Sequence, residues 1–428
     1  MKTLICITCY NESPDLLLPS LESACAISAQ ADIAIVFDGW AQIHDDTKRL
    51  LNIDPANIGA WAPASFRHTP LTFYCKADNL GKIDSILRYF NYARKRGYEH
   101  VFQLDSGTRF GPELFRQMCA AMGDGADACY ANLALSKTDG GELCGYQQYY
   151  YRCEHLRTIW YASRHIHHVL HGQFNVIRVA AFFACRFDRY QSRLDANVRM
   201  VEDRVLAALL EPLRICYLGD NCAQTDHCRS WQELRHQRRR WINGSVASNV
   251  FCITHGLRPL TWAFLASLHQ LNMPFLFGAL LCALAASTVG GWAMVSLLPV
   301  ALFIQRVAVG EPRGVTRYAV LSYGMGALFC LTQLVGLWVL PLLLANIWLR
   351  RYKVLVFSLH AWAALNFFDA SWGIKCKAGA RAPLKEFAMA LALTGINWLL
   401  LPVTATLYLA MSAWEIFFCW RLRRETRG

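Results

Sequence analysis

Apolar and polar residues alternate in short blocks along the first 250 residues, and this pattern predicts an α/β domain. Four short apolar runs have the length of buried strands, at residues 4–7, 33–37, 71–74 and 101–104. Stretches with helical periodicity lie between them, such as 16–27 and 85–96. Alternating strands and helices build a mostly parallel sheet with helices on its faces, and such sheets bind ligands at the carboxyl ends of their strands.

The pattern changes near residue 255, and the second part of the chain is dominated by long apolar runs. Between about residues 260 and 419 several runs are long enough to span a bilayer, with basic residues in the short loops between them. We therefore predict a domain of residues 1–255 and a membrane domain of residues 256–428 with about four to six transmembrane helices.

Composition agrees with a membrane protein whose first half faces the cytosol. Hydrophobic residues make up 54% of the 428 residues and charged residues only 17%, which is too apolar for an ordinary soluble enzyme. The net charge of +12 could suggest nucleic acid, but the basic residues cluster at 238–240 and in the short loops, so we expect a lipid bilayer as partner and no nucleic acid. The N-terminus runs into a predicted strand rather than a signal peptide.

Two patterns that resemble metal or redox sites are interpreted otherwise. The 17 cysteines are expected to be free thiols in a cytosolic setting, and Cys6 and Cys9 have C-x-x-C spacing but lie along a predicted strand rather than at a helix start. Four histidines lie close together in the sequence, but no cysteine or carboxylate is spaced to complete a metal site, so a solvated or substrate-facing cluster is favoured. They are His165, His167, His168 and His171.

The sequence Q-R-R-R-W at residues 237–241 combines three guanidinium groups with an indole. Arginine presents a planar fork of donors that matches phosphate oxygens, and a tryptophan face can stack on a sugar ring. The alternative is a basic stop signal next to a membrane segment. Thirty-five residues upstream of Gln237, Glu202 and Asp203 begin a helical apolar pattern, where they can be helix-capping residues or catalytic carboxylates.

The order of these motifs resembles one family of enzymes. Glu-Asp-Arg, then Gln-x-x-Arg-Trp, then a run of membrane helices is the arrangement of processive family 2 glycosyltransferases. The full forms E-D-R and Q-R-R-R-W-I-N-G-S resemble chitin synthases, and so does D-A-S-W-G-I-K at 369–375. This resemblance implies a GT-A glycosyltransferase domain, which agrees with the predicted α/β pattern. It also implies that the segment 259–270 lies in the membrane interface as an amphipathic helix, instead of beginning the first span.

The same resemblance assigns donor-binding residues. T-C-Y-N-E at 8–12, D-G at 38–39, G-K-I-D-S at 81–85 and L-D-S-G-T at 104–108 are similar to the family's nucleotide motifs. By this resemblance Asp38 holds uracil, Lys82 is the nucleotide-binding lysine, and Asp105 binds the metal and the diphosphate. The implied UDP-binding set is Thr8, Glu12, Asp38, Gly39, Lys82, Asp105, Gln237 and Arg240.

Acceptor residues are implied in the same way, with two departures from the family pattern. Gly172, Gln173 and Phe174 stand where the family has G-A-F, and Tyr150 replaces the glutamate of the family's Q-x-F-E-Y-K. Trp241 is expected to stack on the acceptor sugar at the mouth of a membrane tunnel. Trp372 is expected to support that tunnel, with simple interfacial anchoring as the alternative.

The resemblance implies a complete reaction. Asp203, with Glu202 beside it, is expected to be the catalytic base in an inverting transfer of N-acetylglucosamine from UDP-N-acetylglucosamine to a growing β-1,4-linked chitin chain. Mg²⁺ or Mn²⁺ is expected at Asp105 because these ions prefer oxygen ligands. The enzyme would lie in a plasma membrane or a bacterial inner membrane with its catalytic domain in the cytosol, and a homodimer is allowed. The alternatives are a single-addition membrane glycosyltransferase and a non-catalytic scaffold.

Overall fold

The computed structural model describes residues 2–136, 141–163, 165–191, 194, 197–258, 359, 362, 363 and 366. By its internal contacts the chain divides into two compact units. One comprises Met1–Ala263 with Asn366–Phe387, and all strands and helices described below belong to it; the other comprises Phe264–Leu365 with Ala388–Gly428. The division predicted between residues 255 and 256 stays a prediction.

An eight-stranded sheet forms the centre of the first unit. Its strands are β1 (Thr3–Cys9), β2 (Asp32–Phe37), β3 (Trp61–Phe66), β4 (Thr69–Cys75), β5 (His100–Asp105), β6 (Ala128–Leu135), β7 (Phe174–Arg178) and β8 (Ile215–Thr225). Their order is β3-β4-β2-β1-β5-β7-β6-β8. The strands β4, β2, β1 and β5 are parallel neighbours, whereas β3 is antiparallel to β4 and β7 is antiparallel to both β5 and β6.

The predicted α/β class with flanking helices is confirmed, but the sheet is mixed rather than mostly parallel, because three of its seven strand pairs are antiparallel. The four predicted strands correspond to β1, β2, β4 and β5, and each observed strand is slightly longer than the apolar run that predicted it. The helices are α1 (Pro14–Cys25), α2 (Asp45–Leu51), α3 (Lys82–Arg96), α4 (Pro112–Gly123), α5 (Glu142–Ala162), α6 (Val179–Ala184), α7 (Phe187–Gln191), α8 (Glu202–Leu210) and α9 (Trp231–Thr254).

Hydrophobic cores cover both faces of the sheet. Strand side chains alternate between faces, so Ile5 and Ile7 of β1 join one core with α1 and α4, while Leu4 joins the other core with α3 and α8. Within the second core the rings of Phe90 and Phe182 stack with centroids 3.6 Å apart. The sheet is thus fixed from both sides, and its strand ends form a rigid edge.

The predicted transmembrane helices and the interfacial helix lie outside the described residues. Within the described part of the chain, no helix combines the length and the apolar character that a bilayer crossing requires.

Candidate active site

The carboxyl ends of three neighbouring parallel strands bring polar side chains to one edge of the sheet. Thr8 of β1, Asp38 after β2 and Asp105 at the end of β5 all line a cavity of about 840 Å³. The other sequence-predicted residues that line it are Glu12, Lys82, Gly172, Gln173, Glu202, Asp203, Gln237, Arg240 and Trp241. Residues far apart in the sequence therefore meet in one place.

Lys82 links Asp105 at the end of β5 to Glu202 at the start of α8. Its Nζ lies 2.8 Å from Asp105 Oδ1 and 3.5 Å from Glu202 Oε1. Thr8 Oγ1 donates a second hydrogen bond, of 2.9 Å, to Asp105 Oδ1. Burial lowers the pKa of Lys82, but the carboxylates of Asp105, Glu202 and Asp203 outweigh it, so the net pKa lies above the usual value. The ammonium is charged and holds carboxylates from two elements together.

Glu202 and Asp203 have different surroundings although they are adjacent. Glu202 is 4% exposed, and its burial raises the pKa of this carboxyl above the usual value, while Lys82 acts in the opposite direction. Asp203 lies beside Gly172, since a Cβ on that glycine would lie 3.4 Å from Asp203 Oδ2. Glu202 thus faces the ammonium of Lys82, and Asp203 borders the segment expected to meet the acceptor.

A glycine at position 172 leaves room for the Lys82 ammonium. A Cβ built there would lie 3.0 Å from Lys82 Nζ, so Gly172→Ala should displace the ammonium from Asp105. Loss of one hydrogen bond to a charged group costs about 1.5–3 kcal/mol, and the UDP binding that the sequence resemblance implies is expected to weaken by about tenfold or more. Calorimetric titration with UDP measures this. Gly111→Ala, where a Cβ meets nothing within 4 Å, should bind UDP as the wild type does; equal affinities for both variants would contradict the prediction.

Asp38 organises the loop that follows β4. Its Oδ1 accepts hydrogen bonds from Lys76 Nζ at 2.8 Å, Leu80 N at 2.9 Å and Gly81 N at 3.2 Å. Gly39 is not among the residues that line the cavity; its φ of 103° is left-handed and a Cβ there would collide with Gln42. Gly39 therefore acts on the backbone that presents Asp38, because only glycine adopts this conformation without strain.

Helix α9 carries the Q-R-R-R-W motif, and its side chains divide between the cavity and the interior. Gln237, Arg240 and Trp241 line the cavity. Burial lowers the pKa of Arg240 to about 10, so this guanidinium remains charged at neutral pH. Arg238 is 2% exposed and its guanidinium carbon lies 3.7 Å from the ring centroid of Tyr150 and 4.3 Å from that of Trp241. This cation–π stack fixes the two rings relative to each other.

Gly244 lets α9 pack against the turn that leads into α8. A Cβ at this position would lie 2.6 and 2.7 Å from the two γ-methyl groups of Val201, and 3.1 Å from the carbonyl oxygen of Asn197. Val201 ends the short 3₁₀ turn Val198–Val201 immediately before Glu202. The Q-R-R-R-W helix therefore packs, one turn of α9 beyond Trp241, against the turn that immediately precedes the Glu-Asp pair.

The structure differs from the predicted acceptor set at Phe174. This side chain is fully buried in the core, where its ring stacks on Phe110 with centroids 4.5 Å apart. Because successive strand residues face opposite sides of a sheet, the first residue of β7 packs into the core, while Gly172 and Gln173 precede the strand and reach the cavity. Phe174 is thus a core residue, and Trp372 lies outside the described residues.

Sequence reasoning did not identify Asp226, which also lines the cavity. It directly follows β8, and a Cβ on Gly107 would lie 2.9 Å from Asp226 Oδ2. Burial raises the pKa of Asp226 above its usual value. Its position directly after a strand could have indicated a site residue. However, β8 mixes polar and apolar residues without a recognisable period, so the strand itself was not predicted.

Asp105 is suited to bind a divalent cation whose remaining ligands come from the substrate. Within the described residues, no group of three or more histidine, cysteine, aspartate or glutamate side chains is arranged to hold a metal ion. Asp105 nevertheless lines the cavity with its carboxylate beside Lys82, and Mg²⁺ is usually held by one or two carboxylates together with substrate phosphates and water. The donor set therefore suits a cation that arrives with a phosphorylated ligand.

Comparisons with known proteins agree on one class. Residues 149–256 match the family model of the chitin synthase-like glycosyltransferase domain. Chitin synthase 1 of Phytophthora sojae is 25% identical over 329 residues, which cover 59% of this chain and 35% of the relative. Chitin synthase 7 of Cryptococcus neoformans var. grubii is 24% identical over 269 residues, which cover 54% of this chain and 28% of the relative. The chain thus spans about a third of the length of these curated relatives.

Among solved structures, a mannosyltransferase from Pyrobaculum calidifontis in complex with GDP-Man and Mn²⁺ is similar at 14% identity and a TM-score of 0.46, with 78% of this chain and 87% of that chain covered. By the family model and the curated relatives, this chain is similar to glycosyltransferases, the enzyme class that depends on sugar nucleotides. Within that class, residues 149–256 are similar to the chitin synthase-like domain, in agreement with the resemblance of the sequence motifs.

Proposed function

We propose that the protein is a processive, inverting transferase with a GT-A domain that adds N-acetylglucosamine from UDP-N-acetylglucosamine to a growing β-1,4-linked chitin chain. The observation that carries the proposal is the Lys82 cluster: one ammonium between Asp105 and Glu202, in the same cavity as Trp241. The cavity thus offers a cation for the leaving diphosphate, carboxylates for the reacting hydroxyl and an aromatic ring for the stacked sugar. The relatives named chitin synthases support the choice of polymer.

At the donor end, Lys82, Arg240 and Gln237 would bind the diphosphate, and Asp38 would hold the uracil. More acidic than basic residues line the cavity, although the whole chain carries a charge of +12. A diphosphate would be repelled by this wall, so Asp105 is expected to bind Mg²⁺ or Mn²⁺ with it. The ion would supply positive charge that stabilises the diphosphate as it leaves.

At the acceptor end, Asp203 would take the proton from the attacking hydroxyl. The bond between the anomeric carbon and the UDP oxygen breaks, UDP leaves with the electron pair, and the acceptor oxygen bonds to the opposite face of that carbon. An α-linked donor then gives a β-linked product. Trp241, held by the Arg238 stack, would support the acceptor ring.

The proposed setting is a membrane protein whose residues 256–428 pass the chain through a bilayer, with the catalytic domain in the cytosol and a homodimer as one possible assembly. Transfer of a single sugar to a lipid or polysaccharide is the second candidate. One observation favours it: Tyr150, at the position where the resembling family has glutamate, stacks on Arg238 and changes the chemistry of the wall beside Trp241.

The test is product sizing with purified full-length protein, labelled UDP-N-acetylglucosamine and Mg²⁺ or Mn²⁺. We expect long polymer that chitinase degrades, and no polymer when the metal is chelated. A product of one added sugar would favour the second candidate. Absence of both transfer and donor hydrolysis, in protein that binds UDP, would contradict both enzymatic proposals.

A further inference from the structure

His171 carries a fixed imidazole at the wall of the cavity, immediately before Gly172. It is 9% exposed, and its Nδ1 lies 2.9 Å from the carbonyl oxygen of Ala131 on β6. Because a carbonyl only accepts hydrogen bonds, the imidazole donates through Nδ1, and the neutral ring then keeps its lone pair on Nε2. The sequence placed His171 in a histidine cluster interpreted as solvated or substrate-facing, without a role for the individual residue.

The ring is held in one orientation by its neighbours. It meets Tyr130 edge-on, with centroids 5.2 Å apart and planes at 89°, and Tyr217 in the same manner at 6.4 Å and 87°. Asn175 Nδ2 donates to the backbone oxygen of His171 at 3.0 Å, which fixes the backbone as well. Among the described residues, the imidazole forms its hydrogen bond through Nδ1, so Nε2 can still accept a hydrogen bond.

Electrostatics favour the neutral form. Burial lowers the pKa of His171, and Arg204 acts in the same direction; the bond to Ala131 and the carboxylates of Glu154 and Asp203 oppose this but do not overcome it. A neutral imidazole with a proton on Nδ1 accepts a hydrogen bond at Nε2 and cannot donate one there. The chemical partner of this atom is a hydroxyl or an amide N–H.

Both neighbours of His171 in the chain touch Asp203. Leu170 N donates to the backbone oxygen of Asp203 at 3.4 Å, and Gly172 lies against the Asp203 carboxylate. A substrate that presents one hydroxyl to Asp203 therefore passes His171 within the same cavity. Asp38, which is proposed to hold the uracil of the donor, lies instead at the carboxyl end of β2.

We propose that His171 is an acceptor-binding residue whose Nε2 accepts a hydrogen bond from a hydroxyl or acetamido N–H of the acceptor sugar, beside the hydroxyl that reacts. The proposal rests on the proposed function and specifies its acceptor end. It requires an acceptor that carries a hydrogen-bond donor close to its nucleophilic oxygen, as amino sugars and other pyranoses do. A polyprenyl phosphate or another acceptor without such a donor would gain nothing from His171.

Two substitutions separate the roles of the two ring nitrogens. His171→Asn retains an amide N–H that can donate to Ala131 O but has no atom at the place of Nε2, whereas His171→Gln can place its amide oxygen there. Both are compared with the wild type in purified full-length protein, with UDP-N-acetylglucosamine as donor and chitobiose as acceptor. His167→Asn is the matched control, because His167 is buried against Tyr130 and does not line the cavity.

We expect His171→Asn to raise the acceptor KM about tenfold, the effect of losing one hydrogen bond of ordinary strength, with an unchanged UDP dissociation constant. His171→Gln should recover most of the acceptor affinity, and His167→Asn should keep the wild-type acceptor KM. An unchanged acceptor KM in His171→Asn, equal losses in the Asn and Gln variants, or a loss of UDP affinity instead would overturn the inference. Wild-type protein that binds UDP without any turnover would contradict the proposed function itself.

Discussion

Asp203→Asn is expected to abolish sugar transfer while UDP binding stays nearly unchanged. The amide has the shape of the carboxylate but cannot take a proton, and loss of a general base typically costs 10²- to 10⁴-fold in rate. Asp203 lies against Gly172 at the proposed acceptor side, and no hydrogen bond or ion pair in the described residues joins its side chain to the Asp38 loop. Initial rates with labelled donor, and calorimetry with UDP, measure the two effects separately.

Glu202→Gln is the informative control for this prediction. Glu202 faces Lys82 at 3.5 Å, so removal of its charge should alter the ammonium that is proposed to bind the diphosphate. We expect a clear change in UDP affinity for Glu202→Gln and a much smaller one for Asp203→Asn, because the effect of Asp203 on Lys82 is weaker than that of Glu202. If Asp203→Asn lost UDP affinity in proportion to its activity, Asp203 would be a donor residue, and the assignment of the base would be wrong.

Asp105→Asn is expected to weaken both metal-dependent UDP binding and turnover. Asp105 accepts hydrogen bonds from Thr8 Oγ1 and Lys82 Nζ and is the proposed carboxylate ligand of the cation. An amide loses the negative charge, so we expect a loss of about 10- to 100-fold in UDP affinity at fixed Mg²⁺ or Mn²⁺, which corresponds to about 1.4–2.8 kcal/mol. Titration of UDP across a range of metal concentrations measures it.

Asp54→Asn is a suitable comparison, because Asp54 is exposed and caps a short turn through Ala56 N, a bond that asparagine can also accept. It should have wild-type metal dependence. An Asp105→Asn protein with the same metal dependence as Asp54→Asn would refute the placement of the cation.

Each of the four strands that the sequence predicted is buried on both faces, but β6 and β7 are buried in the same way and were not predicted. β1, β2, β4 and β5 have continuous apolar runs because helices cover each side of them. β3 contains Pro63 and has exposed positions, and β8 alternates irregularly around a register shift between Ala131 and Asn132 of its partner β6, so neither has a clear period. The antiparallel direction of β7 depends on how the chain crosses the sheet, which periodicity does not encode.

The site was predictable where it follows from strand ends and was not where it depends on contacts between distant elements. Thr8, Asp38 and Asp105 follow apolar runs, so their meeting at one edge could be expected. The position of Phe174 depends on the exact start of β7, and a shift of one residue turns a side chain from the cavity to the core. The Lys82–Glu202 pair joins residues 120 positions apart, which only the folded chain brings together.

Gly244 gives this arrangement a built-in spacer. Gly244 of α9 packs against Val201, and the residue after Val201 is Glu202, so a side chain at position 244 would push the helix that carries Trp241 away from the turn that carries the paired carboxylates. Any larger residue at position 244 would separate Trp241, the proposed stacking surface, from Asp203, the proposed base, without itself contacting a ligand. The Q-R-R-R-W motif and the Glu-Asp pair are therefore coupled by packing, and a substitution in one motif is expected to affect the position of the other.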